Sequence, residues 1–258
     1  MPTFSVVTPS LNQGRFLPEC IASVREAARR AGAAAQHVVM DGGSRDGTVE
    51  ILERETGIEW ESGPDAGQTD AINKGLARVK GDFVSYLCAD DVLEPEAFGL
   101  VAAAFARAGR ANVVYGDGYF LESGWRRRKS AGEFSVERLR RGNFLLQPAV
   151  FWRRSVHEAF GPFDAGLRYC MDHEYWLRIC RGTVWEYVAE PLAACRLHAD
   201  AKTWKQIVPA WEEARRMQAR YGIFWRPARD ALWMRLAGAH FYRLKRVLIG
   251  LWAGRRAG

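Results

Sequence analysis

Nowhere does the chain run about 18 apolar, uncharged residues together, so the sequence contains no conventional membrane span. Its first residues, Met1-Pro2-Thr3-Phe4-Ser5, lack a basic segment ahead of an apolar one, and no secretory leader is expected. There are five cysteines, Cys20, Cys88, Cys170, Cys180 and Cys195, widely spaced and without a CxxC pair. That excludes a disulfide scaffold, makes a zinc site a poor expectation, and fits reduced core thiols in a cytoplasmic protein. No glycine-rich GxGxxG turn follows the first predicted strand, which disfavours a nicotinamide dinucleotide site. Internal repeats are absent too. With 258 residues, 48% hydrophobic and 26% charged, the composition is that of a folded chain of one or two domains.

Charge is unevenly distributed. Residues 1–200 hold 24 Lys and Arg against 27 Asp and Glu, whereas residues 201–258 hold 13 against 3. The net charge of +7 therefore belongs to the C-terminal segment. From Leu232 on there are six basic residues and no acid, interleaved with Leu and Trp. On a helix, Leu232, Leu236, Leu244, Leu248 and Leu251 fall near one side, and the basic residues lie mostly away from it. Such a stripe suits an anionic membrane surface, the rest of this chain or a second subunit equally well.

Apolar runs and helical spacing alternate through the first half. Strands are predicted at Phe4–Thr8, His37–Met40, Ile58–Trp60 and Asp82–Leu87, and another begins at Val113. Helices are predicted over residues 16–32, 44–52, 66–79 and 94–108. The alternation implies a parallel α/β sheet. Residues 117–150 are less regular, with Trp125–Lys129 read as a solvated hairpin or loop. A strand at Gln147–Trp152, a helix over Met171–Arg181 and an extended run over Glu186–Leu197 follow. The chain beyond His198 reads as helical, broken near Pro209 and Pro227.

Polar loops close each early strand: Thr8-Pro9-Ser10-Leu11-Asn12, Asp41-Gly42-Gly43, Gly63-Pro64-Asp65 and Ala89-Asp90-Asp91. Open α/β sheets bind ligands at these strand ends. Adjacent carboxylates behind an apolar strand repel one another unless a divalent cation compensates them; the alternative is that Asp91 caps the next helix. Asp172, ahead of Tyr175-Trp176-Leu177, is by itself an ordinary helix-start residue.

Taken in order, Phe4-Ser-Val-Val-Thr-Pro-Ser-Leu-Asn12, Asp41-Gly-Gly-Ser-Arg-Asp-Gly-Thr48, Asp65-Ala-Gly-Gln-Thr-Asp-Ala-Ile-Asn-Lys-Gly75 and Leu87-Cys-Ala-Asp-Asp91 resemble the successive motifs of family 2 glycosyltransferases. Gly161-Pro-Phe-Asp164, Asp172-His-Glu-Tyr-Trp-Leu-Arg178 and Arg196-Leu-His198 resemble its later motifs. The resemblance covers residues 3–203 and implies the GT-A nucleotide-sugar-binding fold. It implies a catalytic domain over 1–203, with a nucleotide-binding half (1–115) and an acceptor half (116–203), followed by a basic helical extension (204–258).

It also implies an inverting enzyme that uses a UDP- or dTDP-sugar with Mn²⁺ or Mg²⁺. The acceptor would be a saccharide or lipid-linked saccharide, as in bacterial surface polysaccharide assembly, with the enzyme cytoplasmic or peripheral on the inner face of the membrane. In that pattern Thr8 and Pro9 line the base pocket and Asp41 accepts from the imide N–H of uracil or thymine. Asp65 and Asn73 flank nucleotide and sugar, Asp90 faces ribose or sugar, Asp91 binds the metal, and His198 completes the metal shell or touches the diphosphate. Asp172 is the catalytic base. The family's usual Glu-Asp is Met171-Asp172 here, and its commoner Asp-x-Asp is Ala89-Asp90-Asp91. Trp176 either stacks on acceptor sugar or belongs to the core. The rival reading is a non-catalytic nucleotide- or nucleic-acid-binding protein anchored by the basic tail. The carboxylates Asp41, Asp91 and Asp172 argue against it because they repel a phosphate backbone, so no nucleic-acid partner is expected.

Overall fold

The computed structural model describes residues 2–122, 124–198 and 206–224. The chain divides into two compact units, residues 1–199 and 200–258. In the first, β1 (Thr3–Ser10) is buried along almost its whole length, as a strand with helices on both faces must be. It pairs in parallel with β2 (Ala34–Asp41) and with β4 (Phe83–Tyr86), and β2 pairs in parallel with β3 (Glu59–Ser62). The helices α1 (Leu17–Ala31), α2 (Thr48–Arg54) and α3 (Gln68–Leu76) connect these strands. Parallel pairing puts the loops after β1, β2, β3 and β4 at one edge.

The sheet then changes character. Its order is β3-β2-β1-β4-β8-β6-β9-β5, with β7 added on β6. The short β5 (Val92–Leu93) precedes α4 (Ala97–Arg107). Strand β6 (Val113–Glu122) runs parallel to β9 (Trp185–Arg196), and β8 (Val150–Arg153) lies antiparallel between β4 and β6. The pairing of β6 with β9 shifts register at Gly116-Asp117-Gly118, where β9 carries the extra residues. Side chains are excluded on both sides of Asp117, since a Cβ on Gly116 would meet Leu192 at 2.6 Å and one on Gly118 the Ala193 carbonyl at 2.5 Å. The buried Asp117 carboxylate is bound there by Arg128, Tyr187 and the Ala131 N–H.

Trp125–Lys129 is an exposed strand, β7, paired antiparallel with β6 as the second arm of a hairpin, one of the two forms expected there. Three elements differ from the sequence expectation. Two short helices, α5 (Val136–Arg141) and α6 (Arg154–Phe160), lie where no helix is predicted. Gln147–Ala149 forms a turn of 3₁₀ helix before β8. After α7 (Met171–Ile179) and β9, the second unit contains α8 (Ile207–Arg220). Pro209 sits in its first turn, where a missing N–H costs nothing, so the helix is not broken there. The apolar stripe and basic residues from Leu232 onward, and Pro227, lie outside the described residues.

Aromatic residues dominate the core. The Phe4 ring stacks on Phe98 at 4.0 Å and Phe83 on Phe105 at 4.1 Å. Under α7, Phe163 stacks on Tyr175 at 4.2 Å and both meet Trp152 and Trp176. Each such ring contributes on the order of 1.5–3 kcal/mol through burial. Trp176 is fully buried, so it is core and offers no face to a sugar.

Candidate active site

The loops at the ends of β1, β2 and β3 are sewn together by backbone. Gly42 N–H donates to the Ser10 carbonyl at 2.8 Å and Gly63 N–H to that of Asp41 at 3.0 Å. Asn12, in the left-handed region at φ 53°, receives Arg45 N–H on its amide oxygen and gives its own N–H to Ser44. The carboxylate of Asp41 ends β2 inside this arch. Its Oδ2 accepts from Gly43 N–H, Ser44 N–H and Ser62 Oγ, whereas Oδ1 accepts only from Ser44 Oγ among the described residues. Oδ1 thus retains capacity for a further donor. Asp65 folds over the same loop, with Oδ1 on Gly67 N–H at 2.8 Å. A side chain on Gly42 would come within 2.8 Å of Asp65 Oδ2, which is why glycine stands there.

Thr8 and Pro9 are placed otherwise than as pocket lining. Both are buried, and the Thr8 hydroxyl pairs with His37 Nε2 at 2.8 Å. Burial lowers the His37 pKa to about 3, so the ring is neutral and ties β2 to β1 through Thr8. Asn73 is also committed to the fold. Its amide donates to the Phe163 carbonyl and accepts from the Phe163 N–H, both at 2.9 Å. It fastens the Gly161–Asp164 segment to α3 rather than presenting its amide to a ligand.

Beyond β4, Asp90 and Asp91 lie side by side but take different partners. Asp91 is buried; its Oδ1 accepts from Arg196 N–H at 2.9 Å and so clamps the end of β9. Burial, then the neighbouring Asp90 charge, push its pKa well above the usual carboxylate range. Asp90 is less enclosed, and its Oδ2 lies 2.9 Å from His198 Nε2. Of the two acids, it is Asp90 that meets His198 directly, with Asp91 beside it. Arg15, which can only donate, stands 3.3 Å from His198 Nδ1.

Cys88 Sγ joins the two carboxylates, each offering a ligand atom within 4.8 Å of the others. Burial and the two acids keep Cys88 a thiol, and it accepts the Gln68 amide at 3.2 Å. Carboxylate oxygen and imidazole nitrogen suit Mg²⁺ or Mn²⁺, and a protonated thiol adds little to such a site. The helix-cap alternative for Asp91 does not occur, because α4 begins three residues beyond Glu94 with Glu96 as its cap.

Asp172 occupies the first turn of α7. Its Oδ1 accepts from His173 N–H at 2.8 Å and its Oδ2 from Asn143 Nδ2 at 2.7 Å. Burial raises its pKa despite these bonds. Tyr86, at the end of β4, is buried and feels the charges of Asp172, Cys88 and Asp91, and burial first and these charges next raise its pKa. Asn143, Lys129, Gln147 and Gln68 are site neighbours that sequence reading missed. No spacing rule links Asn143 to Asp172 across 29 residues.

Comparison with known proteins agrees with this geometry. The model described as glycosyl transferase family 2 matches residues 5–165. The chain is 29% identical over 191 residues to the PGL/p-HBAD biosynthesis glycosyltransferase of Mycobacterium bovis, covering 69% of each. It is 32% identical over 181 residues to a glycosyltransferase of Mycobacterium tuberculosis, covering 69% of this chain and 68% of that one. Among solved structures, the 1–349 fragment of S. aureus TarS in complex with UDP-GlcNAc superposes with a TM-score of 0.68 at 16% identity, over 83% of this chain and 65% of that one. The mannosyltransferase PcManGT from Pyrobaculum calidifontis, in complex with GDP-Man and Mn²⁺, gives 0.61 at 14% identity, over 100% and 76%. The architecture is the GT-A fold.

Proposed function

The chain belongs to glycosyl transferase family 2, and on that premise we propose that it transfers a sugar, with inversion, from a UDP- or dTDP-sugar to a hydroxyl of a saccharide or lipid-linked saccharide. One observation carries the reading: a half-buried carboxylate, Asp172, is held ready by Asn143, and a separate Asp90–His198 pair stands beyond the end of β4. An inverting displacement needs one base on the acceptor side and charge relief on the leaving-group side. It needs no second carboxylate as nucleophile.

The donor's base lies on the arch made by the β1, β2 and β3 loops, where Asp41 Oδ1 accepts from an imide N–H. Among the pyrimidines, uracil and thymine carry that donor and cytosine lacks it; Asp65 closes the same side of the arch. Asp90 and His198 would hold Mg²⁺ or Mn²⁺, with Asp91 beside them. When bound, that ion supplies electrostatic stabilisation of the departing diphosphate. Asp172 takes the proton of the acceptor hydroxyl as the new glycosidic bond forms. Its raised pKa makes it a stronger base than a solvated aspartate. The basic, Leu- and Trp-containing segment after Leu232 brings the enzyme to an anionic membrane surface, where a lipid-linked acceptor resides.

A donor screen tests this reading. Nucleotide release is measured across UDP-, dTDP-, GDP- and ADP-sugars with a mixed acceptor pool. Turnover confined to UDP- or dTDP-sugars is expected; turnover of GDP-sugars alone would overturn the role given to Asp41.

A further inference from the structure

The Asp172 carboxylate is held from outside its own helix by one side chain. Asn143, in the loop after α5, donates Nδ2–H to Asp172 Oδ2 at 2.7 Å. The other end of that amide is fixed, since Asn143 Oδ1 accepts from Leu145 N–H at 3.2 Å. Leu145 in turn accepts on its carbonyl from Lys129 Nζ at 3.2 Å. The amide cannot flip without losing both bonds, so its NH₂ is aimed at the carboxylate. An NH₂ donor bonds a carboxylate more strongly than a carboxylic acid, so the arrangement favours the ionised, proton-accepting form.

We propose that Asn143 is the positioning residue of the catalytic base: it orients the Asp172 carboxylate toward the acceptor hydroxyl and holds it ionised, and the Leu145–Lys129 link keeps Asn143 aimed. This rests on the role of Asp172 given above. Where the family's usual Glu precedes the base, this chain has Met171, which can neither donate to Asp172 nor charge it. Asn143 is the side chain that fills the supporting position from another element.

Among the described residues, the titratable groups that feel Asp172 are His173 beside it on α7, Tyr86 on β4 and Lys129 on β7. Burial raises the Asp172 pKa, and His173 and the bonds from Asn143 and the His173 N–H work against that rise. Burial also weakens the charge on Lys129. The Asn143 bond is the neutral contribution that substitution can remove cleanly.

Two variants separate positioning from mere packing. Asn143→Ala removes the donor and the Leu145 bond. Asn143→Asp keeps the shape and the acceptor for Leu145 but puts a negative charge against Asp172. The measurements are kcat and donor KM against pH, with UDP affinity by calorimetry as a control on folding. Both variants should lower kcat about tenfold or more and move its acidic limb upward, by about one pH unit or more in Asn143→Asp, with donor KM and UDP affinity within about threefold. An Asn143→Asp variant with normal kcat and an unmoved limb would overturn the proposal, because packing alone would then explain Asn143. So would an undiminished effect of Asn143→Ala in an Asp172→Asn background. Asp172→Asn, measured first, keeps the two failures apart. Near-normal transfer by that variant removes the base assignment itself; a crippled Asp172→Asn beside a normal Asn143→Asp removes only the role of Asn143.

Discussion

His198 Nε2 faces Asp90 Oδ2 at 2.9 Å, while the adjacent Asp91 turns inward and binds the Arg196 N–H. Two neighbouring acids thus have different work. The first shares an open contact with an imidazole, and the second ties the end of β9 beneath it. The division has a simple origin. Asp91 leads directly into β5, whose pairing with β9 draws it under the sheet, and Asp90 stays at the edge.

Metal binding should follow that division. Asp90→Asn should abolish Mn²⁺-stimulated UDP binding, and His198→Ala should weaken it by about tenfold. Asp91→Ala should chiefly lower stability, by roughly 1–3 kcal/mol, because it strands the Arg196 N–H. Calorimetric UDP titrations with Mn²⁺ and with EDTA, beside thermal melts, measure all three. Full activity in EDTA would remove the metal from the reaction.

Asp172→Asn preserves shape and removes the proton acceptor. Transfer should fall by about 10²-fold or more while UDP affinity stays within a few-fold. Single-turnover transfer and UDP titration give the two numbers, and near-normal transfer would take Asp172 out of the base role.

The pH profile follows from the sign of the Asp172 shift. The base works ionised, and burial raises its pKa. The acidic limb of kcat should therefore lie above the usual aspartate value near 4, with activity present above that limb and lost as pH falls through it. A limb at or below about 4 would contradict the burial argument.

Much of the first half was legible because buried parallel strands are short apolar runs that stop at polar loops. Phe4–Thr8 and His37–Met40 read correctly for that reason. Trp125-Arg-Arg-Arg-Lys129 left hairpin and loop open, because it has no alternation; its partners make it a hairpin strand, with Arg126 and Arg127 over the rings of Tyr119 and Phe120 and Arg128 reaching Asp117. The site was legible as a set of strand-end acids. The choice between Asp90 and Asp91, the commitment of Asn73 to Phe163 and the bond from Asn143 to Asp172 were not, because each depends on where distant segments meet.

The basic segment gives a prediction that rests on sequence alone. Deleting residues 232–258 should abolish co-sedimentation with anionic liposomes and leave UDP binding intact, since each basic residue near such a surface contributes about 1 kcal/mol. Truncation that aggregates the protein or destroys UDP binding would assign the segment to the fold or to a subunit contact.

Asp117 supplies the last prediction. It is almost fully buried on β6 opposite the bulge of β9 and lies 2.8 Å from Arg128 Nη2, with Tyr187 Oη at 2.6 Å and Ala131 N–H at 2.9 Å on its other oxygen. Burial alone would raise its pKa, but the bonds from Tyr187, Ala131 and Arg128 outweigh it and hold the group below the usual aspartate range. A depressed folded pKa means stability that is present above the unfolded value near 4 and is lost as pH falls through the folded one. Asp117→Ala should therefore cost roughly 2–3 kcal/mol at pH 7, because it strands a buried N–H and a phenol while the half-exposed Arg128 regains water. That cost should shrink toward acid pH as wild type loses the same contribution. Urea unfolding of both proteins at pH 7 and at pH 3 measures it. A penalty that is equal at the two pH values would mean that packing around the bulge, and not the ionised carboxylate, holds this part of the sheet.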